Sequence, residues 1–90
     1  MIELRGRSAI VTGAAVGLGN SYAHALAAEG VKVAVCDIRE EIHEVVKSLS
    51  ATAPQAMGWQ GDVSSPEFVR QVVDGTKQAL GGIDILVNNA

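Results

Sequence analysis

The sequence predicts an α/β fold, a doubly wound parallel sheet that runs β-α-β-α-β-α-β with strand order 3-2-1-4. Three observations predict it. Short runs rich in Val and Ile alternate with amphipathic stretches of about 12 residues, the pattern of parallel strands joined by right-handed helical crossovers. The runs are apolar enough for burial on both faces of a sheet. Their ends are punctuated by glycine and aspartate, at Gly13, Gly30, Asp37, Gly61-Asp62 and Gly81-Gly82. The strand order follows from the doubly wound pattern, in which the chain reverses direction after the third strand.

Each element has its own local signal. Ser8 to Thr12 is a short apolar, β-branched run that ends at Gly13, which favours a buried strand. Beyond the glycines at 13, 17 and 19, a helix runs from Leu18, with Tyr22, Ala25 and Leu26 at helical spacing and alanines adding propensity. Gly30 is its C-terminal stop. Val31 to Cys36 forms the second strand and ends at Asp37. Ile42, Val45, Val46 and Leu49 fall at i, i+3, i+4 and i+7, an amphipathic helix whose other face carries Glu40, Glu41, Glu44 and Lys47. Gln55 to Gln60 is a less clear third strand. Ser64 or Ser65 caps the third helix, with Pro66 in its first turn and Glu67 placed for a capping box. Val69, Val72, Val73, Thr76 and Leu80 trace its apolar stripe, and Ile83 to Val87 is the fourth strand.

Composition bounds the function. Ninety residues make at most one small domain, or part of one. The chain is 48% hydrophobic with two prolines, which argues against disorder. Seven basic and ten acidic residues give a formal charge of −3, and no Lys/Arg cluster marks a nucleic-acid or anionic-membrane partner. Apolar runs fall far short of a membrane span, which needs roughly 20 residues. Cys36 is the single cysteine, so no internal disulfide or multi-Cys metal site is expected. It reads as a small buried apolar side chain in a cytoplasmic protein. His24 and His43 lie on separate helices without ligand-spaced partners, so no metal is expected either. Tyr22 and Trp59 read as packing residues.

The segment Thr12-Gly13-Ala14-Ala15-Val16-Gly17-Leu18-Gly19 joins the first strand to the first helix. Glycines there let the backbone turn tightly and approach a ligand, and the helix start offers free N–H groups to an anion. Three residues separate Gly13 from Gly17, so this is not G-x-G-x-x-G, and no Gly-Lys-Ser/Thr follows as a P-loop would need. Asp37 ends the second strand 18 residues after Gly19, close to the spacing of a carboxylate that binds the adenosine ribose hydroxyls. An acid there repels a 2′-phosphate and favours NAD over NADP; Arg39, two residues on, works against that preference.

These residues resemble the N-terminal part of the classical short-chain dehydrogenase/reductases. Thr12-Gly13-x-x-x-Gly17-x-Gly19 matches that family's cofactor loop, Gly61-Asp62-Val63-Ser64 is similar to its Asp-Val segment, and Asn88-Asn89-Ala90 to its Asn-Asn-Ala-Gly motif. The resemblance implies a Rossmann-type fold and roles for individual residues. Gly13, Gly17, Leu18 and Gly19 would line the pyrophosphate and its approach to the nicotinamide. Asp37 and Ile38 would hold the ribose and flank the adenine. Asp62 would reach the adenine amino group, and Val63 would contact the ring through its backbone. Asn88 and Ala90 would border the ribose, Asn88 also tying the fourth strand to the Thr12 turn. Val16 stands where NADP-preferring members often carry a basic residue, which again points to NAD.

The same resemblance implies that the chemistry needs a Tyr-x-x-x-Lys pair and a serine, with an asparagine completing a proton relay. Tyr22 is the only tyrosine, and Leu26 stands four residues beyond it. No residue of the 90 is therefore assigned a catalytic role. Residues 1–90 read as the N-terminal part of a single NAD(P)-binding domain whose catalytic C-terminal part lies outside this chain. The expected parent is an NAD-dependent oxidoreductase acting on an alcohol or ketone, and a homo-oligomer. The alternative is a non-catalytic dinucleotide-binding or scaffold module. A methyltransferase-type nucleotide site is disfavoured by the Asp-Val and Asn-Asn-Ala segments.

Overall fold

The computed structural model describes residues 3–90. Seven elements alternate: β1 (Ser8–Thr12), α1 (Gly17–Ala28), β2 (Lys32–Asp37), α2 (Ile42–Ser50), β3 (Met57–Gln60), α3 (Pro66–Leu80) and β4 (Ile85–Asn88). The strands form one parallel sheet in the order β3-β2-β1-β4. This is the doubly wound α/β arrangement expected from the alternation of runs. Parallel neighbours need long crossovers, and each helix supplies one.

The helices divide between the two faces. Ala9, Val11, Val33 and Val35 pack against Ala23 and Ala27 of α1 and against Ile42, Val45 and Leu49 of α2. The intervening residues Ile10, Ala34 and Cys36 face the other way, onto Val72 and Leu80 of α3. Successive strand side chains point to opposite faces, so each strand feeds both cores.

Several boundaries depart from the sequence expectation for local reasons. β3 begins at Met57 rather than Gln55, because the Ala56 N–H is spent in a turn on the Ala53 carbonyl. β4 begins at Ile85 rather than Ile83. The Asp84 carboxylate accepts the Ser8 N–H at 2.9 Å and its own N–H donates to the Ser8 carbonyl at 2.9 Å, so Asp84 joins the start of β1 partly through its side chain, and the regular β1–β4 pairing begins one residue later. The α3 cap is Ser65, whose hydroxyl accepts the Phe68 N–H. Phe68 thus occupies the third helical position, and Glu67 is out of register for a capping box. At the other end, Lys32 Nζ donates to the Leu80 carbonyl at 2.8 Å, placing a cation at the negative end of the α3 dipole.

The packed face of α1 differs from the expected one. Tyr22 and Ala25, expected on its packed stripe, are exposed, and the buried face is Gly19, Ala23 and Ala27. The residues of α1 that meet the sheet are small, Leu26 packs at their flank, and Tyr22 is turned outward at 43% exposure. Trp59, by contrast, packs within the sheet as expected. A Cβ on Gly75 of α3 would come within 2.6 Å of its ring, so Gly75 leaves the space that the indole fills.

Candidate functional site

The carboxyl ends of β1, β2 and β4 and the segment after β3 meet at one edge of the sheet. The β1–α1 loop emerges there, and its geometry suits an anion. Val16 precedes α1 in an extended conformation, no side chain caps the helix, and its first turn carries no acid. The leading N–H groups therefore lack the side-chain partner that most helices provide. Gly17 has φ +62, a left-handed conformation that strains other residues, and a Cβ there would meet open space. The loop backbone is thus bare on the side facing solvent. Gly19 differs: it is buried, and a Cβ would collide with the carbonyl of Gly13. Its smallness lets the helix start sit against the loop. Val16 and Leu18 are exposed beside it.

Asp37 is 9% exposed and is oriented by two backbone donors. The Ala15 N–H donates to Oδ2 at 2.9 Å, and the Arg39 N–H donates to Oδ1 at 2.9 Å. One carboxylate thereby links the end of β2 to the glycine loop. Each oxygen retains acceptor capacity, since a carboxylate offers about four lone-pair sites. Gly13, Asp37, Ile38, Asp62, Val63 and Ala90, with Gly61, line a cavity of about 320 Å³. At its rim, Asp62 Oδ1 accepts the Ser64 N–H at 2.8 Å. Backbone and side-chain hydrogen bonds from Ser64 hold the Asp62 carboxyl below its ordinary range, so it stays an ionised acceptor near neutral pH.

Six of the residues singled out in the sequence therefore share one cavity. Val16 ends the loop, Gly17 and Leu18 open α1 after it, and Gly19 packs against the Gly13 carbonyl beneath the loop. Asn88 stands apart, on the α3 face of the sheet, where it lines a second cavity with Thr12 and Ala90. It does tie β4 to the Thr12 turn: the Thr12 hydroxyl donates to Asn88 Oδ1 at 3.1 Å.

Thr12 itself is the residue that the spacing does not mark. Its Oγ1 also accepts the N–H groups of Asn89 at 3.0 Å and Ala90 at 3.2 Å, so one hydroxyl organises the end of β4. Asn89 Nδ2 in turn donates to the Gly13 carbonyl, and Asn20 Nδ2 donates to the Ala14 carbonyl. The loop is thus fastened from β4 and from α1. The only sequence signals for these roles are a threonine before the first glycine and the paired asparagines.

Cys36 is buried below this edge. Burial first, and the neighbouring Asp37 charge second, push its thiol up to about 11, which leaves it an inert neutral group at physiological pH. Among the described residues, no group of three or more His, Cys, Asp or Glu side chains could hold a metal ion, and no helix is long and apolar enough to cross a membrane.

Comparison with known proteins agrees with this geometry. The short chain dehydrogenase family model matches residues 7–90. Galactitol 2-dehydrogenase of Agrobacterium fabrum is 42% identical over 89 residues, covering 99% of this chain and 34% of that protein. A short chain dehydrogenase/reductase from Burkholderia phymatum in complex with NAD superposes with a TM-score of 0.90 at 31% identity, covering 96% of this chain and 31% of that one. L-Sorbose reductase from Gluconobacter frateurii, complexed with NADPH and L-sorbose, gives a TM-score of 0.90 at 32% identity, covering 99% of this chain and 35% of that one. The chain spans about a third of the length of the curated relatives it matches. Since the family model spans residues 7–90 and these solved relatives superpose on nearly the whole chain, the chain belongs to the short-chain dehydrogenase family.

Proposed function

We propose that residues 1–90 are the adenosine- and pyrophosphate-binding part of an NAD-dependent oxidoreductase, and that the whole protein acts on an alcohol or ketone in the cytoplasm. The observation that carries this reading is the Asp37 carboxylate, buried at the cavity wall and tied to the glycine loop through Ala15. Both of its oxygens are fixed by backbone donors and still have lone pairs for two vicinal ribose hydroxyls. The bare start of α1, with the N–H groups of Gly17, Leu18 and Gly19, would take the pyrophosphate. Asp62 would accept from the adenine amino group, the Val63 backbone would meet the ring, and Ile38 would cover its outer side. Asn88 and Ala90 would border the ribose.

When bound, the nicotinamide supplies the hydride chemistry. This chain's part is to hold and orient the nucleotide. The family's Tyr-x-x-x-Lys pair is not among these residues, and no proton transfer is assigned to any of them. Assembly into homo-oligomers belongs to the same proposal. Sedimentation at micromolar concentration checks it, and a stable monomer would count against it.

Preference for NAD over NADP is supported by Asp37, whose charge would face a 2′-phosphate, and by Val16, which offers that phosphate no cation. Comparing kcat/KM or affinity for the two cofactors tests it. NAD is expected to be favoured, with Asp37→Ala narrowing the gap; a preference for NADP above tenfold would sink the reading.

A further inference from the structure

The turn between β2 and α2 holds two opposite charges beside the proposed ribose site. The Arg39 N–H donates to Asp37 Oδ1, so the Arg39 side chain leaves the backbone directly next to the carboxylate. Its guanidinium lies 3.8 Å from Glu41 Oε2. The backbone of this turn is closed by the Ile42 N–H on the Arg39 carbonyl at 3.2 Å, and Glu41 immediately precedes the first helical residue of α2. A carboxylate at that position is favoured by the helix dipole, which steadies it as an anchor.

Arg39 is otherwise well suited to a 2′-phosphate: it is always charged, it is half-exposed, and it offers a planar fork of donors. The pair with Glu41 offsets that charge and restrains the side chain. We infer that Glu41 is a specificity-determining residue: by pairing with Arg39 it withholds the guanidinium from the ribose 2′ position beside Asp37, and so excludes 2′-phosphorylated nucleotides. The inference rests on the NAD-binding reading above. It makes the discrimination a product of two parts, a repelling carboxylate at Asp37 and an attracting cation kept occupied by Glu41.

The test is a double-mutant cycle on nucleotide affinity, read by calorimetry with NAD and NADP on the wild-type protein, Glu41→Gln, Arg39→Gln and the double variant. Both side chains are solvent-exposed, and glutamine keeps the size of each. Because exposed ion pairs are weak, Glu41→Gln is expected to improve NADP affinity relative to NAD by about two- to fivefold, with NAD affinity unchanged. In the Arg39→Gln background, Glu41→Gln is expected to change the ratio by less than about 1.5-fold, since two groups that act as one pair are not additive. An equal gain with and without Arg39 would show that Glu41 acts only as a distant negative charge, and would overturn the inference while leaving the NAD reading intact. So would an unchanged ratio in a wild-type protein that prefers NAD. A wild-type protein that binds neither nucleotide, or prefers NADP, overturns the NAD reading and this inference with it.

Discussion

On the α1–α2 face of the sheet, Val11, Val33, Val35, Ile42 and Leu49 are withdrawn from water. On the α3 face, Val69 is 39% and Leu86 64% exposed, and a cavity of about 320 Å³ opens between α3 and β4. Both faces are drawn from alternate residues of the same strands. Among the described residues the difference is coverage: two helices lie over one face and α3 over the other. Apolar burial secures the first. The second is tied at its carboxyl end by polar bonds, chiefly the Thr12 hydroxyl linking β1 to Asn88, Asn89 and Ala90. The glycine loop grows from the top of the closed face, where α1 packs through glycine and alanine, and is therefore backed by the better-packed half of the described residues.

The contrast can be broken most forcefully at Leu49. Truncation to Ala, in a side chain with no exposure, is expected to cost about 3 kcal/mol of unfolding free energy in a denaturant titration. A loss below about 1 kcal/mol would mean that the closed face is not the main core.

Cys36 reports on the α3 face through pH. Its folded value of about 11 lies above the ordinary 9.0, so the fold favours the neutral thiol. That contribution is complete below about pH 9 and is lost as pH rises towards 11. The stability of the wild-type protein relative to Cys36→Ala should accordingly fall by on the order of 2 kcal/mol across that window. Parallel pH curves would indicate that water reaches the thiol through the open face.

Thr12→Val keeps the shape and removes the hydroxyl. It leaves the Asn89 and Ala90 N–H groups without their acceptor, at a cost of about 1 kcal/mol, and should weaken nucleotide binding by loosening the loop. Unchanged amide exchange at residues 88–90 would contradict that role. For the 90-residue chain by itself the smallest effect is expected at Leu86→Ala, within about 0.5 kcal/mol, because little of that side chain is buried against residues 3–90. A loss as large as that at Leu49 would erase the distinction between the faces.

Much of this architecture is legible in the residues themselves. Strand and helix identity come from local pattern: unbroken apolar runs such as Ile10–Val11 and Val33–Val35, and the i, i+3, i+4, i+7 spacing of Ile42 to Leu49. The sheet order follows because parallel neighbours must be joined by right-handed crossovers, which leaves few topologies open. Gly13, Gly17, Gly19 and Asp37 declare themselves as a loop and a strand-end acid because both features are short-range. The tertiary structure alone decided the rest. Tyr22 has helical spacing like any packed residue, yet the face of α1 that meets the sheet is Gly19, Ala23 and Ala27, and in so alanine-rich a helix the period alone does not say which face is buried. Gly75 has no local reason to stand within α3; Trp59 supplies one from the facing strand β3. Thr12, Asn89 and Asp84 bond to partners more than 70 residues away, and Arg39 meets Glu41 only once Asp37 and α2 have fixed the turn between them. Side-chain hydrogen bonds depend on sub-ångström placement across the folded chain, which a sequence period cannot encode.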